Sequence, residues 1–174
     1  MEFSKSLTLQ EVAELLRRMP VVLRELILAL PDRAVGYHPG PGKWCIKEVM
    51  GHLTEEDSRD FVGRIELMLR QSEPQLNVND QVQVSLERHD CDKSIRELLD
   101  EFAAARNVSV RFVEQLSAAD LERTGVHRKI GLIRVRELLH EWLYHDLNHV
   151  KQIQLNIQSL LWNQLGSMQA FYVA

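Results

Sequence analysis

Hydrophobic residues recur at helical spacing in four long stretches of the chain, and each stretch is followed by a polar connection. In the first, Thr8 and Glu11 have the spacing of a capping box, which predicts that a helix begins there. Pro20 then interrupts the pattern. It either kinks one long helix or opens a new one as its first residue, and we favour the second. The main first bundle helix is therefore predicted over Val21–Leu30.

The other three stretches predict helices over residues 44–71, 94–116 and 133–162, joined by connections over residues 31–43, 72–93 and 117–133. Alternation of the strand type is brief. It occurs at Val78–Leu86 and, less regularly, at His127–Ile133. Four amphipathic helices with longer connections are typical of an all-α fold, and we predict a four-helix bundle with long crossing connections.

Composition narrows the possible functions. The chain has 174 residues, 45% hydrophobic and 26% charged, which predicts a single domain over residues 1–174 with a full core. Its net charge is -4 and it lacks a basic block, which argues against nucleic acid as a partner. It has neither a membrane-spanning apolar run nor a signal-peptide core, so we expect a cytoplasmic protein without membrane contact.

The two cysteines, Cys45 and Cys91, are far apart in the sequence. In a reducing compartment this pattern predicts free thiols. The absence of a Cys-x-x-Cys pair from the sequence excludes a zinc ribbon or a zinc finger.

The histidines provide the strongest chemical signal. His145 and His149 are four residues apart, so on a helix their side chains project from one face. His52 lies on the second predicted helix. Although such residues can also be ordinary surface or core histidines, together they predict a three-histidine metal site with open coordination positions. His140 is excluded because five residues turn a helix by roughly 140°, and His38 in its loop is a candidate for lining an entrance.

Three carboxylates lie one helical turn from these histidines. Glu48 and Glu56 flank His52 on either side, and Glu141 precedes His145 by four residues. Each is a candidate hydrogen-bond acceptor for an imidazole, a fourth ligand or a general base. We select Glu56 as the candidate catalytic residue, and the roles of all three carboxylates stay open.

Two segments of the chain resemble the motifs of the DinB-like superfamily. Pro41–Leu53 (PGKWCIKEVMGHL) is similar to the family's Gly-Lys-Trp-Ser-x-x-Glu motif with its following His-Leu. Glu137–Ile153 is similar to the second motif, His-Asp-x-x-His followed by Gln-Ile. The Met19-Pro20 step resembles the family's Thr-Pro, so the similarity runs along nearly the whole chain. Cys45 replaces the motif's serine, and we expect a weaker helix cap there.

This resemblance implies a four-helix bundle, often dimeric, with a divalent metal held at the positions of His52, His145 and His149. Zinc or nickel is the first expectation, and iron or manganese is the second. Members of the family are described as metal-dependent hydrolases, or as transferases and isomerases that use small thiols such as bacillithiol.

Three functions follow from these expectations, each with a small-molecule substrate or ligand. The favoured one is a thiol S-transferase, with candidate contacts to the thiol cofactor from Arg64, Arg128, Lys129 and Arg134. The alternatives are an amide or ester hydrolase with Glu56 as base, and a non-catalytic stress-related binding module. The apolar C-terminal segment, with Trp162, Phe171 and Tyr172, favours a homodimer.

Overall fold

The computed structural model describes residues 7–76 and 80–173, and its main feature is a bundle of four long helices. They are α1 (Leu9–Leu28), a second helix built from α3 (Ile46–Glu55), a π-helical segment (Glu56–Val62) and α4 (Gly63–Arg70), α6 (Ile95–Glu114), and α7 (Val135–Trp162). Helix α1 packs against α6 and α7, and α3 packs against the same two helices. The prediction of an all-α four-helix bundle is confirmed.

Shorter elements fill the connections. They are α2 (Asp32–Val35), β1 (Gln75–Leu76), α5 (Gln81–Arg88), β2 (Thr124–His127), β3 (Gly131–Arg134) and 3-10 turns at Asp90–Asp92, Asp120–Glu122 and Gly166–Phe171. The three short strands form one small sheet in the order β1-β2-β3. In this sheet β1 pairs parallel to β2, with Gln75 opposite Val126, and β2 pairs antiparallel to β3, with Gly125 opposite Ile133.

Pro20 does not open a new helix, contrary to our prediction, because α1 continues through it from Leu9 to Leu28. A proline inside a helix removes the N–H that would donate to the carbonyl four residues earlier, which here is that of Leu16. The Arg106 guanidinium replaces this donor, with Nη1 3.2 Å from the Leu16 carbonyl oxygen. A side chain of α6 thus supplies the hydrogen bond that α1 lacks.

The strand-like interpretation of Val78–Leu86 is wrong over its described part. Residues 77–79 lie outside the described residues, and Gln81–Arg88 form helix α5. The Asp80 side chain accepts hydrogen bonds from the N–H groups of Val82 and Gln83, both at 3.1 Å, so this N-cap prevails over the short alternation. The second strand-like stretch, His127–Ile133, falls within the β2–β3 hairpin.

A polar layer divides the hydrophobic core into two clusters. One is centred on Leu16, Phe61, Val113 and Trp142, and the other on Leu23, Met50, Phe102 and Ile153. Along each of the four helices the residues between the clusters are more polar. In three of the helices they include buried or half-buried charged and imidazole side chains, in the stretches His52 to Asp60, Arg106, and His145 to His149. The candidate site lies in this layer.

The π-helical segment Glu56–Val62 lies in the same layer. A π-helix inserts an extra residue into a helix and is found often at functional sites. Here it directs Glu56, Asp57, Asp60 and Phe61 into the interior. In the part of the chain that the structure describes, no helix combines the length and apolar character needed to cross a bilayer.

Candidate metal centre

The structure brings the three predicted histidines together. His52 Nε2 lies 3.1 Å from His145 Nε2, and His149 Nε2 lies 3.2 Å from the same atom. The ring centroids are 4.4 to 5.1 Å apart. Helix α3 supplies His52 and one face of α7 supplies the pair, which places the group between two bundle helices.

The donor set fits a divalent metal ion. Zinc–nitrogen bonds of 2.0–2.1 Å in tetrahedral geometry place ligand nitrogens about 3.3 Å apart, close to the two separations found here. Gln152 Oε1 lies 2.7 Å from His149 Nδ1 and accepts a hydrogen bond from its N–H. The proton is therefore on Nδ1, and His149 Nε2 presents a lone pair to His145. A neutral imidazole has only one N–H, and a cation between the rings satisfies all three facing nitrogens at once.

Burial keeps the imidazoles of His52 and His149 neutral. Desolvation, reinforced by the neighbouring histidines, lowers the pKa of His52 to about 2. Desolvation and the neighbouring His145 likewise lower the pKa of His149 to about 4. At neutral pH both rings are therefore unprotonated, which is the form that binds metal.

Gln152 orients one ligand, and its removal is expected to weaken metal binding. In Gln152→Ala the His149 Nδ1–H loses its acceptor, so the ring is no longer held in one tautomer and orientation. We expect metal affinity to fall by about 10- to 100-fold, measured by competition with a chromogenic chelator. Gln154→Ala, at an exposed position of the same helix, is the matched control and should leave affinity unchanged.

Glu56 lies beside this group. Its Oε1 is 3.7 Å from His52 Nδ1 and accepts a hydrogen bond from Gln81 Nε2 at 3.3 Å. Burial, with a hydrogen bond and a like charge from Asp60, raises the pKa of Glu56 to about 8. A carboxyl group with a pKa near neutrality can take up and release a proton under physiological conditions.

A narrow cleft reaches His52 and Glu56 from the surface, with α5 as one wall. Gln81 and Ser85 of α5 line it together with Asp60, and its interior space is about 10 Å³. This is the size needed for about one water molecule.

The other predicted candidates lie elsewhere. Glu48 Oε2 accepts the Cys45 N–H at 2.7 Å and lies 2.9 Å from His38 Nε2, at the start of α3. Glu141 lies on the exposed face of α7, one turn before His145, and its charge interacts with that histidine although no side-chain contact joins them. His140 is not among the histidines that converge. Of the three carboxylates, Glu56 is the one whose side chain lies directly beside a histidine of the group.

A buried ion network of Arg106, Asp57 and Asp146 lies next to the residues of the candidate site. Arg106 makes paired contacts to Asp57, with Nε–Oδ2 at 2.8 Å and Nη2–Oδ1 at 2.7 Å. It makes a second pair to Asp146, at 2.6 and 3.1 Å. All three side chains are 1% exposed or less. Asp57 follows Glu56 and Asp146 follows His145, so this network fixes the backbone next to two site residues.

Aromatic rings complete the support. Trp142 Nε1 donates to Asp57 Oδ1 at 3.2 Å, and its indole stacks on Phe61 with centroids 4.6 Å apart and planes 5° apart. Phe61 in turn meets His145 edge-on, at 5.4 Å. On the other side, Trp44 lies 4.9 Å from His52. These contacts restrict the rotation of the two imidazoles.

Neither the ion network nor the role of Gln152 was predicted from the sequence. One signal was available. The apolar face of α6 runs through Leu99, Phe102, Val110 and Val113, and Arg106 occupies the interior position between Phe102 and Val110. A charged residue on an apolar helix face indicates a buried partner elsewhere in the fold.

The fold and this site define a four-helix bundle with a three-histidine centre that suits a divalent metal ion. Residues 15–153 match the sequence model of the DinB superfamily. The chain belongs to that superfamily, and the resemblance found in its motifs is confirmed.

The proteins that are similar to this chain include the following two. One, from Oceanobacillus iheyensis, is named "Putative metal-dependent hydrolase"; it is 22% identical over 135 residues, which cover 78% of this chain and 77% of the relative. The other is the solved structure of YfiT from Bacillus subtilis, described as a probable metal-dependent hydrolase with an unusual four-helix bundle topology. It shares 16% identity, with a TM-score of 0.79 over 93% of this chain and 94% of YfiT, and so supports the fold.

Proposed function

We propose that this protein is a metal-dependent hydrolase of a small amide or ester. The observation that carries the proposal is the convergence of three imidazole nitrogens beside a buried carboxyl group with a pKa near neutrality. The names of the two similar proteins support the same class.

His52, His145 and His149 would hold the ion through their Nε2 atoms. Three neutral imidazoles suit zinc, nickel or iron, and zinc or nickel is our first expectation. When bound, such an ion supplies Lewis acidity, which polarises a carbonyl group and lowers the pKa of water toward neutrality. The three rings provide no charge of their own, so the ion keeps its full charge for this task.

Glu56 is proposed as the proton acceptor and donor. Its carboxyl group lies in the same narrow cleft as His52, and the space beside it is water-sized. In hydrolysis Glu56 would take a proton from the attacking water and return it to the leaving group. Asp60 and Gln81, which contact this carboxyl group, hold it in position for both steps.

Thiol transfer, our favoured function from the sequence, is the second candidate. A wider cleft of about 450 Å³ is lined by Arg64, Glu141 and the apolar residues Leu132 and Leu138, and it has room for a larger cofactor. Two of the four predicted cationic contacts, however, are already in ion pairs: Arg64 with Asp60 at 2.5 Å and Arg134 with Glu137 at 3.3 Å. The water-sized cleft beside Glu56 therefore makes hydrolysis the better-supported function.

The two chemistries separate in one assay. Metal-loaded protein is offered p-nitrophenyl acetate and a panel of small amides without thiol, and separately bacillithiol with monobromobimane. Turnover without thiol supports hydrolysis. Turnover that requires bacillithiol, or the absence of turnover from protein with full metal content, contradicts the proposal; the first outcome indicates a transferase and the second a binding module.

Replacing the acid–base group is expected to slow the reaction without removing the ion. In Glu56→Gln the side chain keeps its size but can no longer accept a proton, so we expect kcat to fall by about 100-fold, with metal content unchanged by elemental analysis. Glu25→Gln, at an exposed position of α1, is the control and should keep its activity. Equal losses in the two variants, or an unchanged Glu56→Gln enzyme, would exclude this role.

A further inference from the structure

A second group of metal-binding side chains lies at the start of α3, apart from the three histidines. The Cys45 and Cys91 sulfurs are 3.6 Å apart, and His38 Nε2 lies 2.9 Å from Glu48 Oε2. One donor atom from each of these four residues lies within 4.8 Å of all the others. We propose that His38, Cys45, Glu48 and Cys91 form a second metal site, which takes a thiolate-binding divalent cation such as zinc.

The separation of the two sulfurs matches that chemistry. Zinc–sulfur bonds of about 2.3 Å in a tetrahedron place two thiolates about 3.8 Å apart, near the separation found between Cys45 and Cys91. Two sulfurs, one imidazole and one carboxylate give four protein ligands, the number found in closed structural zinc sites. Thiolates also select zinc over magnesium and calcium, which prefer oxygen ligands.

The fold explains why residues so distant in sequence meet. Cys45 is the N-cap residue of α3, and Glu48, three residues later, reaches back to its N–H. Cys91 arrives from the 3-10 turn at Asp90–Asp92, which packs closely on α3 because Gly51 has no side chain; an added Cβ there would overlap the Asp90 carboxylate. The two thiols are free, as predicted from the sequence, and they are neighbours in the fold.

Further contacts hold this arrangement in place. Lys47 Nζ donates to the Cys91 carbonyl oxygen at 2.9 Å, and Asp90 accepts from Arg88 and Lys93 at 2.9 and 3.0 Å. Cys45 is fully buried, whereas Cys91 and His38 are exposed, so an ion can reach the group from solvent.

An ion at the proposed second site would also stabilise the narrow cleft beside His52 and Glu56. Helix α5, one wall of the narrow cleft, has no buried residue along Gln81–Arg88, and it is followed directly by the turn that carries Cys91. An ion bound by residues from both α3 and this turn would fix the end of α5 to α3. The proposed role is therefore structural, in contrast to the open three-histidine centre.

Cobalt substitution tests the proposal on the full chain, kept reduced. Thiolate ligands give cobalt(II) an intense charge-transfer absorption in the near ultraviolet, which imidazole ligands do not give. We expect this band in the wild-type protein and in His145→Ala, and its loss in Cys91→Ser. We also expect about two zinc ions per wild-type chain and about one in each variant.

Cys91→Ser is chosen because Cys91 is exposed, and Arg96→Ser, at another exposed position, is the control that should keep the band. Absence of the band from reduced wild-type protein that still binds one ion through its histidines would overturn the second site and leave the first intact. Oxygen in air can oxidise the two thiols to a Cys45–Cys91 disulfide. If reduction of that disulfide restores both thiols but the protein still gives no thiolate–cobalt band, the second site is also overturned. Failure of the three-histidine site alone would instead leave the band present.

Discussion

Replacing His145 with alanine is expected to remove a bound ion from the three-histidine centre and to lower the rate of the proposed hydrolysis by about 1,000-fold. His145 Nε2 lies within 3.2 Å of both other ring nitrogens, so its loss opens the middle of the group. A catalytic metal ion typically contributes several kcal/mol of transition-state stabilisation, and each 1.36 kcal/mol corresponds to a tenfold change in rate. Elemental analysis and initial rates on the same preparations measure both effects.

His140→Ala is the matched control for this variant. His140 lies on the same helix but not among the converging histidines, so both metal content and rate should stay at the wild-type level. Circular dichroism would check that both variants keep the bundle. If His145→Ala kept its metal and its rate, the three-histidine centre would not be the site of the reaction.

Removing the buried guanidinium has the largest expected effect on stability. In Arg106→Met two carboxylates, Asp57 and Asp146, lose their counter-charge while they stay in the interior. Breaking a buried ion pair from one side costs about 3 to 5 kcal/mol, and the unpaired Leu16 carbonyl adds to that cost. The free energy of unfolding, from urea denaturation, should fall by at least this amount.

Arg111→Met tests whether the loss belongs to the network. Arg111 lies on the exposed face of α6, and its replacement should change the free energy of unfolding by less than about 0.5 kcal/mol. A triple variant with Arg106→Met, Asp57→Asn and Asp146→Asn should recover part of the loss, because the unpaired charges are gone. A small effect of Arg106→Met alone would show that solvent or rearranged side chains compensate the carboxylates.

The helices were predictable because each carries its own local signals. Thr8 and Glu11 form the predicted capping box, with Thr8 N–H donating to Glu11 Oε2 at 2.8 Å, and Ser94 accepts the Glu97 N–H at 3.1 Å. Apolar spacing then fixed which face turns inward. Local signals did not predict that α1 continues through Pro20. The hydrogen-bond donor for the Leu16 carbonyl is Arg106, which belongs to another helix.

The same distinction applies to the site. The i, i+4 spacing of His145 and His149 predicted their shared face. His52, on another predicted helix, was already the third candidate ligand, and motif similarity supported that choice. Gln152 and Arg106 act through partners chosen by the tertiary fold, and the meeting of Cys45 with Cys91 depends on how one turn packs on α3. Such contacts between distant segments leave little trace in the periodicity of a single sequence. The predicted dimer stays a prediction.

The proline in α1 also bears on the order in which the chain folds. On its own, a peptide spanning Leu9–Leu28 has an unpaired carbonyl at Leu16 and so should fray around its middle. The hydrogen bond from Arg106 to the Leu16 carbonyl can form only after α6 has packed against α1. The N-terminal helix should therefore acquire its full length late, in the same cooperative step that assembles the interior around the buried charges.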